Sequence, residues 1–169
     1  MSISITNPQI TQTDFVRLVG PVFEHSPWIA EKTWGDRPFA DLETLHRALC
    51  ETVRRATRQQ QLDLVRAHPD LVGRAALAGG LTTASTAEQA SAGLHRLTPN
   101  EITLFQEYNA AYQAKFGFPF VICARLNKKD AILKGFQGRM ENSVEMEIET
   151  ALAEIYKIAR LRLMDIGKS

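Results

Sequence analysis

Hydrophobic positions recur along most of the chain at the three- and four-residue spacing of amphipathic helices, as in Leu42, Leu45, Leu49 and Val53. This spacing and local capping signals predict helices that begin near Thr11 or Thr13, Ser26, Asp41, Gln59, Ser85, Thr98, Asp130 and Ser143. Phe120–Cys123 is the only strongly β-like run, and it is too short and isolated to build a sheet. The sequence therefore predicts an all-α fold: one compact domain over residues 1–169, with about eight helices and a short extended Phe-Pro-Phe-Val-Ile segment.

Composition and charge exclude several classes of function. The 169 residues are 44% hydrophobic and 23% charged, as in an ordinary globular protein, and the net charge of +1 gives no reason to expect nucleic acid or a membrane as a partner. No apolar run approaches 18 residues, and the first twelve residues do not resemble a secretory signal. Cys50 and Cys123 are too far apart to form a metal-ligand motif, which fits a reducing cytoplasm.

The most compact candidate site lies between Ala67 and Leu94. His68 precedes Pro69, which disfavours the α conformation for His68 and so ends the preceding helix there. At a helix C-terminus the dipole favours a protonated imidazole, which suits a proton donor working near neutral pH. The alternative is that His68 only caps the last carbonyls of that helix.

The residues that follow predict a partner for His68. Ser85-x-x-Glu88 has capping-box spacing, so we expect a helix that begins at Ser85 with Glu88 in its first turn, facing His68 across the loop. Amides at this helix start could bind an anionic ligand, and Ser85 and Gln89 add neutral hydrogen-bonding groups. The alternative is that Glu88 only folds back on the Ser85 amide. The glycines of Ala78-Gly79-Gly80 permit either a mobile lid or a tight turn.

Arg162 lies on the inward stripe predicted for the last helix, which also carries Ala151, Ile155, Ile158 and Ile166. Because a guanidinium stays charged, a buried arginine needs an anionic partner. That partner is either one of the 19 acidic side chains or an anionic group of a substrate. Arg160, two residues earlier, is expected to be peripheral.

The remaining candidates are weaker. The extended Phe116–Cys123 run either sets backbone N–H and C=O groups against a planar ligand or fills the core. Cys123 is expected to pack in the core. The other histidines, His25, His46 and His95, share no zinc-ligand spacing and are expected at the surface or at helix ends.

Three motifs, in this order, carry a resemblance to a known family. They are His68-Pro69-Asp70-Leu71 with Gly73, then Ser85-x-x-Glu88-Gln89-x-x-Ala92-Gly93-Leu94, then Phe116-Gly117-Phe118-Pro119-Phe120-Val121-Ile122. From Phe15 to Ile166 the chain resembles the 2-oxo-4-hydroxy-4-carboxy-5-ureidoimidazoline (OHCU) decarboxylases. The resemblance implies an all-α, cofactor-free, usually dimeric enzyme that forms (S)-allantoin in the last step of the route from uric acid.

The resemblance also implies roles for individual residues. His68 would be the catalytic acid, Glu88 would orient it and the substrate, and Arg162 would complete the catalytic set, although Arg160 leaves that alignment open by two positions. The implied substrate-binding residues are Pro69, Ser85, Glu88, Gln89, Phe120, Val121, Ile122, Cys123 and Ala124. We expect a cytoplasmic homodimer with a small-molecule substrate, no metal or other cofactor, and neither nucleic acid nor a membrane as partner.

Two other classes of protein offer alternatives. A J-domain-like co-chaperone also presents His-Pro-Asp after a basic helix, and Arg54, Arg55, Arg58 and Arg66 precede His68 here. Such a domain has about half this length, however, and the two later motifs would be unexplained. In a plain helical interaction module every polar residue named above would be structural.

Overall fold

A computed structural model of the chain describes residues 4–168, apart from the side chains of Arg74 and Ala75. Over these residues the secondary structure is helical, without a β-strand, which confirms the all-α prediction. The α-helices are α1 Gln12–Val19, α2 Trp28–Thr33, α3 Leu42–Arg55, α4 Arg58–Arg66, α5 Arg74–Leu77, α6 Thr83–Ser91, α7 Pro99–Phe116, α8 Lys129–Arg139 and α9 Val144–Gly167. Short 3-10 helices span Gly20–Val22, Trp34–Asp36 and Ala124–Leu126. None of the described helices is long and apolar enough to cross a bilayer.

The chain divides into two compact units, and α9 contributes to both. The first unit contains the residues up to Ala67 and those from Tyr156 onward. Helices α1 and α3 start where the capping signals predict: the Thr11 hydroxyl accepts the Asp14 N–H at 3.1 Å, and the Asp41 carboxylate accepts the Thr44 N–H at 2.7 Å. Inside this unit α2 packs against α3. Its fully buried core side chains include Phe15, Phe23, Ile29, Leu45 and Leu49.

The second unit spans His68–Ile155 and contains all the predicted substrate-binding residues. Its longest complete helix, α7, starts with a capping box between Thr98 and Glu101 and ends at Gly117, whose φ of +79° is the left-handed conformation that glycine adopts freely. The chain then runs extended and buried from Phe118 to Cys123, as predicted. The aromatic core of this unit is formed by Phe105, Tyr112, Phe116, Phe118, Phe120 and Phe136.

Some predicted helix boundaries are wrong by one to three residues. Helix α2 begins at Trp28 after Pro27, because the Ser26 hydroxyl donates back to the Glu24 carbonyl at 2.8 Å and does not cap the helix. Helix α6 begins at Thr83, and its cap is Thr82, which lies three residues before the predicted cap Ser85. The glycine pair before it forms a turn in which the Gly79 N–H donates to the Ala76 carbonyl at 3.3 Å, with φ of +74° at Gly79.

Candidate active site

His68 opens the loop that connects α4 to α5, residues 68–73, and its side chain is only 7% exposed. Two features make this loop conformationally unusual. Val72 is buried with φ of +54°, a left-handed conformation that is costly for a β-branched residue. A Cβ on Gly73 would lie 2.6 Å from the Cβ of Asp70, so this close approach requires glycine. A strained, buried loop persists only when its surroundings hold it in place.

Side-chain amides from α6 and α7 hold the His68 loop. Gln89 uses both ends of its amide: its Oε1 accepts the Val72 N–H at 3.0 Å, and its Nε2 donates to the Asp70 carbonyl at 3.3 Å. Asn109 on α7 donates from Nδ2 to the Leu71 carbonyl at 2.8 Å. One turn later, Gln113 donates to the Asp70 carboxylate at 3.1 Å. Neither Asn109 nor Gln113 was identified from the sequence.

Helix α6 carries Ser85, Glu88 and Gln89, but not in the predicted register. The Thr82 hydroxyl accepts the Ser85 N–H at 3.2 Å, so the predicted capping box between Ser85 and Glu88 is wrong. Glu88 lies in the second turn, half-buried, beyond the reach of a capping role. The alternative in which Glu88 serves only to cap the Ser85 amide is therefore excluded, since Thr82 does so.

The extended segment Phe118–Cys123 is fixed by polar and aromatic contacts. Arg139 donates from Nη1 to the Val121 carbonyl at 2.6 Å, and Asn127 donates from Nδ2 to the Cys123 carbonyl at 2.9 Å. The Phe120 ring stacks on Phe136 with 3.8 Å between centroids. The carbonyls of Val121 and Cys123 therefore accept hydrogen bonds from the protein itself.

Electrostatics place Glu88 near this segment. Burial raises the pKa of the Cys123 thiol, and the carboxylates of Glu154 and Glu88 raise it further because they disfavour a nearby thiolate. Helix α6 also packs against the 3-10 helix Ala124–Leu126. At the end of α6, Lys128 donates to the Ser91 carbonyl at 2.6 Å. The motif that begins at Ser85 and the motif that begins at Phe116 thus lie side by side. The Gln89 amide joins the Ser85 motif to the motif that begins at His68.

A buried ionic network is joined to the extended segment through Arg139. Glu147, fully buried, accepts hydrogen bonds from the Tyr112 hydroxyl, from Arg139 Nε at 2.8 Å and from Asn142 Nδ2 at 2.9 Å. Burial, and then the bond to Glu147, raise the pKa of Tyr112. This network was not identified from the sequence. Its signal was present: Glu147 lies four residues before Ala151, on the same helical stripe that singled out Arg162.

Arg162 lies in the first unit and is buried, as its position on the stripe predicts. Its Nη1 is 2.8 Å from Oε2 of the buried Glu24, so an acidic side chain of the chain itself is its anionic partner. Arg160 is 48% exposed and pairs with Glu43, which confirms that it is peripheral.

The other predicted core and surface residues are placed as follows. Cys123 is buried, as expected. His25 and His95 are exposed, whereas His46 is half-buried with its Nε2 2.8 Å from the Tyr156 carbonyl. Across the described part of the chain, no three His, Cys, Asp or Glu side chains group as metal ligands.

Comparison with known proteins identifies the family. Residues 8–164 match the family model for OHCU decarboxylase. An OHCU decarboxylase from Halalkalicoccus jeotgali is 41% identical over 96% of this chain and 92% of its own length. The uric acid degradation bifunctional protein PucL of Bacillus subtilis is 40% identical over 95% of this chain, which spans 31% of that protein.

A solved structure of an (S)-allantoin synthase has a TM-score of 0.77 and 26% identity, covering 97% of this chain and 54% of that one. The matched range includes all three motifs, two of which the co-chaperone hypothesis leaves unexplained. On the length of the family match and the identity to its members, the chain belongs to the OHCU decarboxylase family.

Proposed function

We propose that this chain decarboxylates OHCU to (S)-allantoin in urate degradation, with His68 as the general acid. The observation that carries the proposal is the strained, buried loop that begins at His68, in a chain that matches OHCU decarboxylases over residues 8–164. The family match covers both compact units, and we propose that they form one functional domain. We also propose that the enzyme is a cytoplasmic homodimer.

The reaction determines what the site must supply. The bond between the ring carbon and the carboxylate breaks, carbon dioxide leaves, and the electron pair of that bond passes into the ring. A proton then adds to one face of the ring carbon, which fixes the stereochemistry of the product. The ring itself delocalises the charge, so the proposed reaction needs no electron-sink cofactor. The protein must provide hydrogen-bond donors for the developing charge and one positioned proton.

The residues of the second unit fit these needs. His68 delivers the proton, because imidazole exchanges protons readily near neutral pH. Backbone N–H groups between Phe120 and Ala124 fix the ring and stabilise its developing negative charge, because N–H groups donate hydrogen bonds to an anion. Glu88 orients His68 and the substrate.

Three side chains complete the proposed binding site. Pro69 and Ser85 line the substrate beside His68 and Glu88. Gln89 has a second amide hydrogen that can reach the substrate while its other groups hold the loop. For Arg162 the support is the resemblance alone: we propose that it contributes to binding the substrate carboxylate while paired with Glu24.

The test couples urate oxidase and hydroxyisourate hydrolase to the purified protein and follows allantoin by circular dichroism. We expect rapid formation of one enantiomer, and a loss of about 1,000-fold in kcat for His68→Ala with the fold retained, as for removal of a general acid. His95→Ala, at an exposed histidine of the same unit, is the matched control and should keep full activity.

The possible results separate the assignments. Slow racemic allantoin, at the rate seen without protein, would reject the decarboxylase proposal. A single enantiomer at an undiminished rate from His68→Ala would reject only the role of His68.

A further inference from the structure

Asn109 is a buried polar residue that neither the motifs nor the proposed chemistry uses. It lies in the middle of α7 and is 6% exposed. Its Nδ2 donates to the Leu71 carbonyl at 2.8 Å, whereas its Oδ1 accepts no hydrogen bond from the described residues. A buried acceptor without a partner costs free energy, which offsets what the bond to the Leu71 carbonyl contributes to stability. A polar side chain here therefore needs a reason beyond packing.

The bond that Asn109 makes is to the strained part of the His68 loop. Leu71 directly precedes Val72, the buried valine with φ of +54°. The peptide group between these two residues is held from both sides: Asn109 binds its carbonyl, and the Gln89 Oε1 accepts its N–H at 3.0 Å. A peptide clamped at both ends cannot rotate to relieve the strain at Val72.

We infer that Asn109 is a positioning residue of the decarboxylase, which fixes His68 by clamping the Leu71–Val72 peptide against α7. The inference rests on the proposed role of His68. Without the clamp, Val72 can leave the left-handed conformation, and the loop shifts together with the imidazole three residues before Leu71. A displacement of about 1 Å in a proton donor can cost about 100-fold in rate.

The decisive variant is Asn109→Asp, which keeps the size and shape of the side chain but replaces the Nδ2 donor by an oxygen that repels the Leu71 carbonyl. We expect kcat to fall between about 10- and 100-fold while KM changes less than about threefold, because the loss falls on proton delivery and not on substrate binding. Asn109→Ser retains a hydroxyl donor of shorter reach and should lose less activity. It also keeps the inference testable if the aspartate variant does not fold.

The matched control is Gln106→Leu. Gln106 lies on α7 one turn before Asn109 and is exposed, so its replacement should leave kcat unchanged. A second control, Gln113→Leu, removes the amide that binds the Asp70 side chain and not the loop backbone. We expect it to reduce kcat less than Asn109→Asp does.

A second readout reports on His68 without catalysis. The imidazole resonances of the four histidines can be assigned by nuclear magnetic resonance, with His68→Ala identifying that of His68. In Asn109→Ser, which introduces no charge, the His68 resonance should shift, while the resonances of His25 and His46, both in the first unit, stay at their wild-type positions. A merely structural role of Asn109 would lower the melting temperature without moving the His68 signal.

Three results would overturn the inference: kcat of Asn109→Asp equal to wild type, a loss of activity no larger than the loss of folded protein, or an unchanged His68 resonance. These differ from a failure of the proposed function, in which the wild-type protein is inactive or His68→Ala is fully active. The resonance measurement still tests the clamp in that case.

Discussion

Two buried, non-helical stretches of the second unit carry most of the predicted site, and they are held by different means. The His68 loop is fixed by neutral side-chain amides from α6 and α7. The Phe118–Cys123 segment is fixed by Arg139, which is itself paired with the fully buried Glu147, and by aromatic packing on Phe136. One stretch is held by weak bonds with neutral partners, the other by a buried charge pair.

This difference has an energetic consequence. A neutral hydrogen bond contributes about 1 kcal/mol net to stability, whereas breaking a buried ion pair costs about 3–5 kcal/mol. Changes around the loop should therefore affect activity more than stability, and changes around the segment should affect stability first. The two stretches can be separated experimentally on this basis.

The largest expected effect is that of Glu147→Gln. The glutamine amide must direct an N–H group toward Arg139 or Asn142, both donors, and it leaves the buried guanidinium without its counter-charge. We expect the free energy of unfolding to fall by about 3 kcal/mol or more, measured by urea denaturation. The control is Arg160→Ala, which removes the solvent-exposed pair with Glu43 and should lower the free energy of unfolding far less. Equal effects of the two variants would contradict the comparison.

A smaller effect is expected from Gly73→Ala in the His68 loop. The new Cβ would meet the Asp70 Cβ at 2.6 Å, so the loop must move. We expect the free energy of unfolding to fall by about 1–3 kcal/mol, as for other overpacked sites. We also expect kcat to fall by more than the loss of folded protein explains. Gly138→Ala is the matched control: a Cβ there has no atom within 4 Å, and alanine favours the helix by up to about 1 kcal/mol. Full activity in Gly73→Ala would show that the close approach at Asp70 does not position His68.

Local signals predicted several helix ends correctly. Asp41 and Thr98 cap the helices expected of them, Thr11 caps α1 out of the two candidates Thr11 and Thr13, and Gly117 ends α7. The start of α6 was wrong because Thr82 and Ser85 are both good caps three residues apart, and their sequence gives no means of choosing between them. In the structure Thr82 is the cap, because its hydroxyl accepts the Ser85 N–H.

The supporting residues of the site could not be predicted in the same way, because their partners are distant in sequence. Asn109 binds a carbonyl 38 positions earlier, and Tyr112 binds a carboxylate 35 positions later. Only the fold brings such groups together. Periodicity does show that a polar residue faces inward, as it did for Arg162 and could have done for Glu147, but it does not identify the partner.

The most delicate prediction concerns the link between α6 and the extended segment, which depends on Glu88 lying near Cys123. Because the Glu88 carboxylate raises the pKa of the Cys123 thiol, Glu88→Gln should lower that pKa and increase the thiolate fraction at any mildly alkaline pH. The rate of modification by a small thiol reagent, followed for each cysteine by peptide mass spectrometry over a range of pH, measures the change. Cys50 is the internal control, since burial raises its pKa to about 11 and it lies in the first unit. A profile for Cys123 that is identical in the two proteins would place Glu88 away from the segment and separate the second motif from the third.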